Sequence, residues 1–124
     1  MRRWTFGQLL KELRFEARLT QKEVAAAAYI DVTYLSKLEN DRLEPPAEGT
    51  ILNLAGALDT DPDNLLLAAR KVPKDVREII TSSRHVPAFL RAARDLTDKQ
   101  WAVLFEMVLM GHIWKGESEE ESEE

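Results

Sequence analysis

Apolar residues in this chain return at intervals of three and four almost from end to end, and no stretch sustains the period-two alternation of a half-buried strand. A chain with that spacing can bury its apolar positions only as helices, so the expected fold class is all-α. With 124 residues, 44% of them hydrophobic, there is material for one compact helical domain and a short appendage.

The start and stop signals divide the chain. A first helix is expected over 5–18, with Thr5 as its N-cap and Phe6, Leu9, Leu10, Leu13 and Ala17 as its buried stripe. Leu19 closes it. Thr20 followed by Glu23 is a capping-box pair that opens a second helix over 21–28, whose alanines permit close packing. After a turn at Tyr29 and Ile30, Asp31 can accept from the free amides of a third helix over 32–39 or 32–40, with Leu35 and Leu38 turned inward. Two prolines at 45 and 46 precede a fourth helix over 47–58, and Pro62 opens a fifth over 62–69. Beyond these, Pro73 opens a helix carrying Val76, Ile79 and Ile80 on one face. Pro87 opens another with Phe89, Leu90 and Ala93, and Thr97 caps a last helix over 98–114. The expected organisation is a five-helix unit over 1–70, a helical segment over 71–115 and a tail over 116–124.

Charge has to be taken segment by segment. The formal net charge is −5, with 17 Lys and Arg against 22 Asp and Glu, but the tail GESEEESEE holds six carboxylates and no base. The remainder of the chain is close to neutral, so it is compatible with a local basic surface and not with a strongly nonspecific polyanion binder. The tail lacks apolar residues and is expected to be solvated and disordered, with solubility as its plain role and competition with phosphates for that basic surface as the sharper alternative.

Several classes of chemistry find no support. Without cysteine there is neither a disulfide framework nor a thiolate metal site, and His85 and His112 are too far apart to suggest zinc. We expect His85 in a loop and His112 on a helix surface, and we expect Met107 and Met110 to pack rather than to hold a cofactor. No glycine loop for phosphates, no HExxH pair and no serine beside a positioned base is present, so an enzyme is not expected and no cofactor is implied. No apolar run approaches a membrane span or a signal-peptide core, and a cytosolic protein is expected.

The stretch FGQLLKELRFEARLTQKEVAAAAYIDVTYLSKLENDRLEPP resembles the Cro/CI-type, XRE-like helix-turn-helix regulators of phages and bacteria over about residues 6–67, with LTQKEVA opening the second helix and YLSKLEN in the third. The resemblance implies a five-helix, lambda-repressor-like DNA-binding domain whose third helix enters the major groove of double-stranded DNA while the second lies across the phosphates. By position, Gln21 would hydrogen-bond a phosphate. Val32, Thr33, Tyr34, Lys37 and, less directly, Ser36 would face the groove, with Val32 and the Thr33 methyl against thymine methyls. Asn40 and Arg42 would grip the backbone after the reading helix. Arg14 and Glu39 match a family pair that joins the first and third helices, a structural ion pair away from the bases. Two positions depart from the family: Tyr29, where the turn usually has glycine, and Asp41, where glycine often ends the reading helix. A positive φ is costly for tyrosine, which argues for a rebuilt turn, whereas Asn40 or Asp41 tolerates it well enough to end a helix.

The last expected helix carries Trp101, Leu104, Phe105, Val108, Leu109, Ile113 and Trp114, more apolar surface than a lone terminal helix leaves in water. That surface implies a partner. One reading is a homodimeric repressor that binds a palindromic operator. The other is an antitoxin-like or anti-regulator protein that mainly holds a protein partner, such as a toxin, through its C-terminal helices. Regulators with this kind of short helical extension also resemble those controlled by metallopeptidase partners, in which cleavage of the C-terminal part relieves repression.

Overall fold

The computed structural model describes residues 4–111, and every regular element among them is an α-helix: α1 (Phe6–Glu16), α2 (Gln21–Ala28), α3 (Val32–Glu39), α4 (Glu48–Leu58), α5 (Pro62–Ala68), α6 (Lys74–Ile80), α7 (His85–Ala92) and α8 (Asp98–Leu109). The chain forms two compact units, Met1–Glu78 and Ile79–Glu124, with the division falling inside α6.

In the first unit α1 packs against α3 and α5, α2 against α3 and α4, and α4 against α5. Their shared core is Phe6, Leu10, Val24, Ala25, Ala28, Leu35, Leu38, Ile51, Leu54, Ala55, Leu58, Leu65 and Leu66. Each fully buried leucine in that set contributes roughly 1.5–3 kcal/mol relative to an exposed one, so the leucine-rich faces of α3, α4 and α5 supply most of the drive for folding. The first helix buries a narrower stripe than its spacing predicts. Phe6 and Leu10 are buried, Leu9 and Leu13 are half-buried, and Ala17 is an exposed C-cap because α1 stops at Glu16. Arg14 takes the interior position one turn beyond Leu10.

Helix starts follow the side chains that accept from free amides. Thr5 and Gln8 form a reciprocal capping box on α1, Thr20 and Glu23 do so on α2, and the Asp31 carboxylate accepts from Thr33 N–H at the head of α3. The ends are less ordinary. All five helices of the first unit end on a left-handed residue, and none of the five is glycine: Arg18, Tyr29, Asp41, Asp59 and Arg70. In each case the next residue reaches back five positions, as in Leu19 N–H to Arg14 O at 3.2 Å and Ile30 N–H to Ala25 O at 3.0 Å. These are Schellman closures, which satisfy the last carbonyls of each helix. Leu19 and Ile30 then fold down onto the core.

Tyr29 is therefore the exception to an expected rebuilt turn: it adopts φ 62° and leaves its side chain 85% exposed. Packing on both sides over-determines the turn, because Ala28 and Ile30 are held by the core. The left-handed backbone costs a β-carbon-bearing residue on the order of 1 kcal/mol. Tyr29→Gly is accordingly expected to raise the melting temperature by about 5 °C, measured by circular dichroism on the full chain.

In the second unit α7 begins at His85, two residues before the proline expected to open it. Pro87 sits within the first turn, where its missing N–H has no intrahelical acceptor to lose, and the Ser83 hydroxyl accepts from His85 N–H at 3.2 Å. His85 is thus the first residue of a helix and not a loop residue. Thr97 and Gln100 form a capping box on α8, which ends at Leu109, followed by Met110 as C-cap and Gly111 at φ 71°. This is shorter than the expected 98–114, because Gly111 supplies a left-handed stop. Phe89 of α7 meets Trp101 of α8 edge to face, with ring centroids 6.4 Å apart. His112, Ile113, Trp114 and the acidic tail lie outside the described residues. No helix among those described is long and apolar enough to cross a membrane.

Candidate nucleic-acid interface

At 100° per residue, α3 separates its side chains cleanly. Leu35, Leu38 and Glu39 are buried, while Val32, Thr33 and Lys37 are exposed and Ser36 is half-buried beside them. These four occupy one continuous arc, which continues past the helix end at exposed Asn40. Tyr34 lies at the margin of this arc: it is half-buried and packs against the core. Asn40 turns its side chain back along the helix, donating Nδ2–H to the Ser36 carbonyl at 2.8 Å. Arg42 is exposed, and its backbone N–H closes onto Lys37 O at 2.9 Å.

The base of this surface is a buried polar cluster. Arg14 of α1 meets Glu39 of α3 in a two-pronged pair, Nε to Oε2 at 2.6 Å and Nη2 to Oε1 at 3.0 Å, and its Nη1 donates to the Leu19 carbonyl at 3.0 Å. Arg14 is 8% exposed and Glu39 3%. Gln21, the first residue of α2, adds a third donor: its Nε2 lies 2.9 Å from Glu39 Oε1. One carboxylate thus ties three helices together. Sequence reasoning placed the Arg14 and Glu39 pair but missed the Gln21 bond, because it depends on two helices crossing and no spacing encodes that.

Asp41 was likewise invisible as a connector. Its carboxylate accepts from the Thr5 hydroxyl at 2.6 Å and from Gly7 N–H at 3.0 Å, fastening the start of α1 to the end of α3. The signal that could have revealed it is Gly7, a glycine in the first turn of a helix, where the approach of another backbone is the usual reason.

These bonds determine the electrostatics. Between residues 20 and 42 the carboxylates are Glu23, Asp31, Glu39 and Asp41, and each accepts from a backbone amide, from a hydroxyl or from the Arg14 and Gln21 donors. Lys22, Lys37 and Arg42 are exposed, and among the described residues none of them has a carboxylate within ion-pair distance. The segment carries three basic side chains against four carboxylates; the basic groups are exposed without ion-pair partners, whereas each carboxylate is engaged with donors and Glu39 is buried. Among the described residues no group of three or more His, Cys, Asp or Glu is placed to hold a metal ion.

On the second unit, α8 exposes Trp101, Val103, Phe105, Met107, Val108 and Leu109, its C-cap Met110 is exposed as well, and Leu104 is half-buried. Phe105 is 64% exposed, and Phe89 and Leu90 of α7 extend the apolar area.

Three similarities to known proteins accompany this geometry. A family model described as "Helix-turn-helix domain" matches residues 5–68. A Bacillus subtilis (strain 168) protein described as "Uncharacterized HTH-type transcriptional regulator RghRB" is 37% identical over 76 residues, which is 59% of this chain and 55% of that one. The match thus spans about half the length of that relative. Among solved structures, a chain of a SinR protein/SinI protein complex superposes over 87% of this chain and 98% of its own with a TM-score of 0.50 at 19% identity, a likeness of fold alone.

Proposed function

This chain belongs to the XRE-like helix-turn-helix family of transcriptional regulators, and from that premise we propose that it is a repressor that binds a palindromic operator as a homodimer, with α3 in the major groove. The observation that carries this reading is the exposed arc of α3 together with exposed Lys22, Lys37 and Arg42, none of which has an ion-pair partner among the described residues, while the nearby carboxylates are engaged with donors. Residues 1–70 form the reader. Val32, Thr33 and Ser36 meet base edges, with Tyr34 at the margin, while Lys37 and Arg42 meet bases or phosphates. Asn40 and Gln21 supply neutral donors to the backbone.

One short helix touches few base pairs, so useful specificity needs two half-sites roughly 34 Å apart. The apolar surface of α8, within residues 71–115, supplies the two-fold contact, and the bound dimer acts by occupying its site. The complex named for the SinR structure pairs that protein with a second one, which makes a protein partner on this surface the competing reading.

Selection from a randomised duplex library tests the proposal. The intact chain is expected to enrich a palindrome. Thr33→Ala, Lys37→Ala together should abolish that enrichment, and Lys37→Ala alone should reduce the salt dependence of binding by about one counterion. Sedimentation of Phe105→Glu should show a monomer with weakened operator binding. A wild-type chain that sediments as a monomer and enriches no sequence would favour the protein-partner reading.

A further inference from the structure

We infer that Glu39 is a positioning residue for DNA binding, holding the side-chain amide of Gln21 in the orientation that presents a donor to a phosphate; this rests on the DNA-binding reading above. The Gln21 amide carries two N–H donors and one acceptor in a rigid plane. One N–H is taken by Glu39 Oε1 at 2.9 Å, and that oxygen also accepts from Arg14 Nη2 at 3.0 Å. The carboxylate is itself immobile, buried and gripped at both oxygens. An acceptor-only partner cannot receive the amide oxygen, so the flipped rotamer, which would turn its nitrogen away from Glu39, is excluded. The direction of the second N–H is then set before DNA arrives.

That constraint matters at this position. Gln21 is the first residue of α2 and half-buried, and a freely rotating amide there would spend part of its time with its oxygen toward a phosphate. Ordering it in the free protein removes an entropic cost from binding. It also connects α2, which crosses the backbone, to the end of α3, which reads bases, through a single carboxylate. Neither Arg14 nor Glu39 needs to touch DNA for this.

The test is a double-mutant cycle in the full chain on the selected duplex, comparing wild type, Gln21→Ala, the pair Arg14→Met with Glu39→Met, and all three together. Replacing both charged partners by methionine removes the anchor without leaving a buried unpaired charge. Gln21→Ala is expected to weaken binding about fivefold in the wild-type background and hardly at all in the methionine background, at matched thermal stability. An equal loss in both backgrounds, or no loss from Gln21→Ala in the wild type, overturns the inference while leaving sequence-specific binding by wild type intact. A wild type that enriches no duplex overturns the DNA-binding reading and this inference with it. Should the methionine pair fail to fold, proton exchange of the Gln21 side-chain amide in wild type decides: protection of one of its two protons is the expected result, and exchange as fast as in an exposed glutamine overturns it.

Discussion

Glu39→Ala is expected to lower the melting temperature of the full chain by on the order of 20 °C, because removing one partner of a buried ion pair costs about 3–5 kcal/mol in a domain of this size. The cost arises from what remains. Arg14 keeps only the Leu19 carbonyl among the acceptors it now has, and its guanidinium stays inside the domain where water reaches it poorly. Gln21 loses its acceptor at the same time. The loss is large against the 5–15 kcal/mol that separates a typical domain from its unfolded state, so partial unfolding at 37 °C is expected. Replacing both charges by methionine should cost far less, since a buried pair contributes little beyond what matched apolar side chains supply. Thermal unfolding of the two variants by circular dichroism distinguishes them, and equal losses would show that the pair acts through packing volume and not through charge.

Gly7→Ala is expected to destabilise the first unit by about 3 kcal/mol, at the upper end for an overpacked site. A β-carbon there would fall 2.6 Å from Asp41 Oδ1 and 2.8 Å from the Glu39 carbonyl, and closer still to the Leu38 carbonyl oxygen. Two of those three atoms are backbone at the end of α3 and cannot swing aside. Relieving the clash would push α1 away from α3, stretching the Gly7 N–H bond to Asp41 and disturbing the Arg14 pair one helix face away. An exposed helical glycine changed to alanine normally stabilises by up to about 1 kcal/mol, so the sign of the effect is itself the test. Gly49 and Gly56, whose added β-carbons would meet nothing within 4 Å, are internal controls expected to respond in the opposite direction.

The elements of the first unit were legible because their signals are local. Thr20 and Glu23 lie three residues apart and find each other within one turn, and Asp31 caps the helix it precedes, so α2 and α3 begin where the spacing says. Leu35 and Leu38 face inward for the same reason, since a period of 3.6 is a property of the helix alone. Helix ends were less legible. Tyr29 takes a left-handed conformation against its own preference because the core holds its neighbours, and no local rule could weigh that. Ala17, Met110 and Gly111 were over-assigned to helices for the complementary reason: apolar spacing continues past the point where the backbone turns.

For the candidate interface, the sequence by itself determined α3, its N-terminal cap and its outward arc, together with the positions of Arg14 and Glu39, because these follow from periodicity and from positional resemblance. Only the tertiary structure decided that Tyr34 leans into the core, that Gln21 is anchored on Glu39, and that Asp41 is fastened to Thr5 and Gly7. Those outcomes depend on how α1, α2 and α3 cross. A crossing is fixed by the shapes of many side chains at once, whereas a cap or a stripe needs only a few neighbours along the chain.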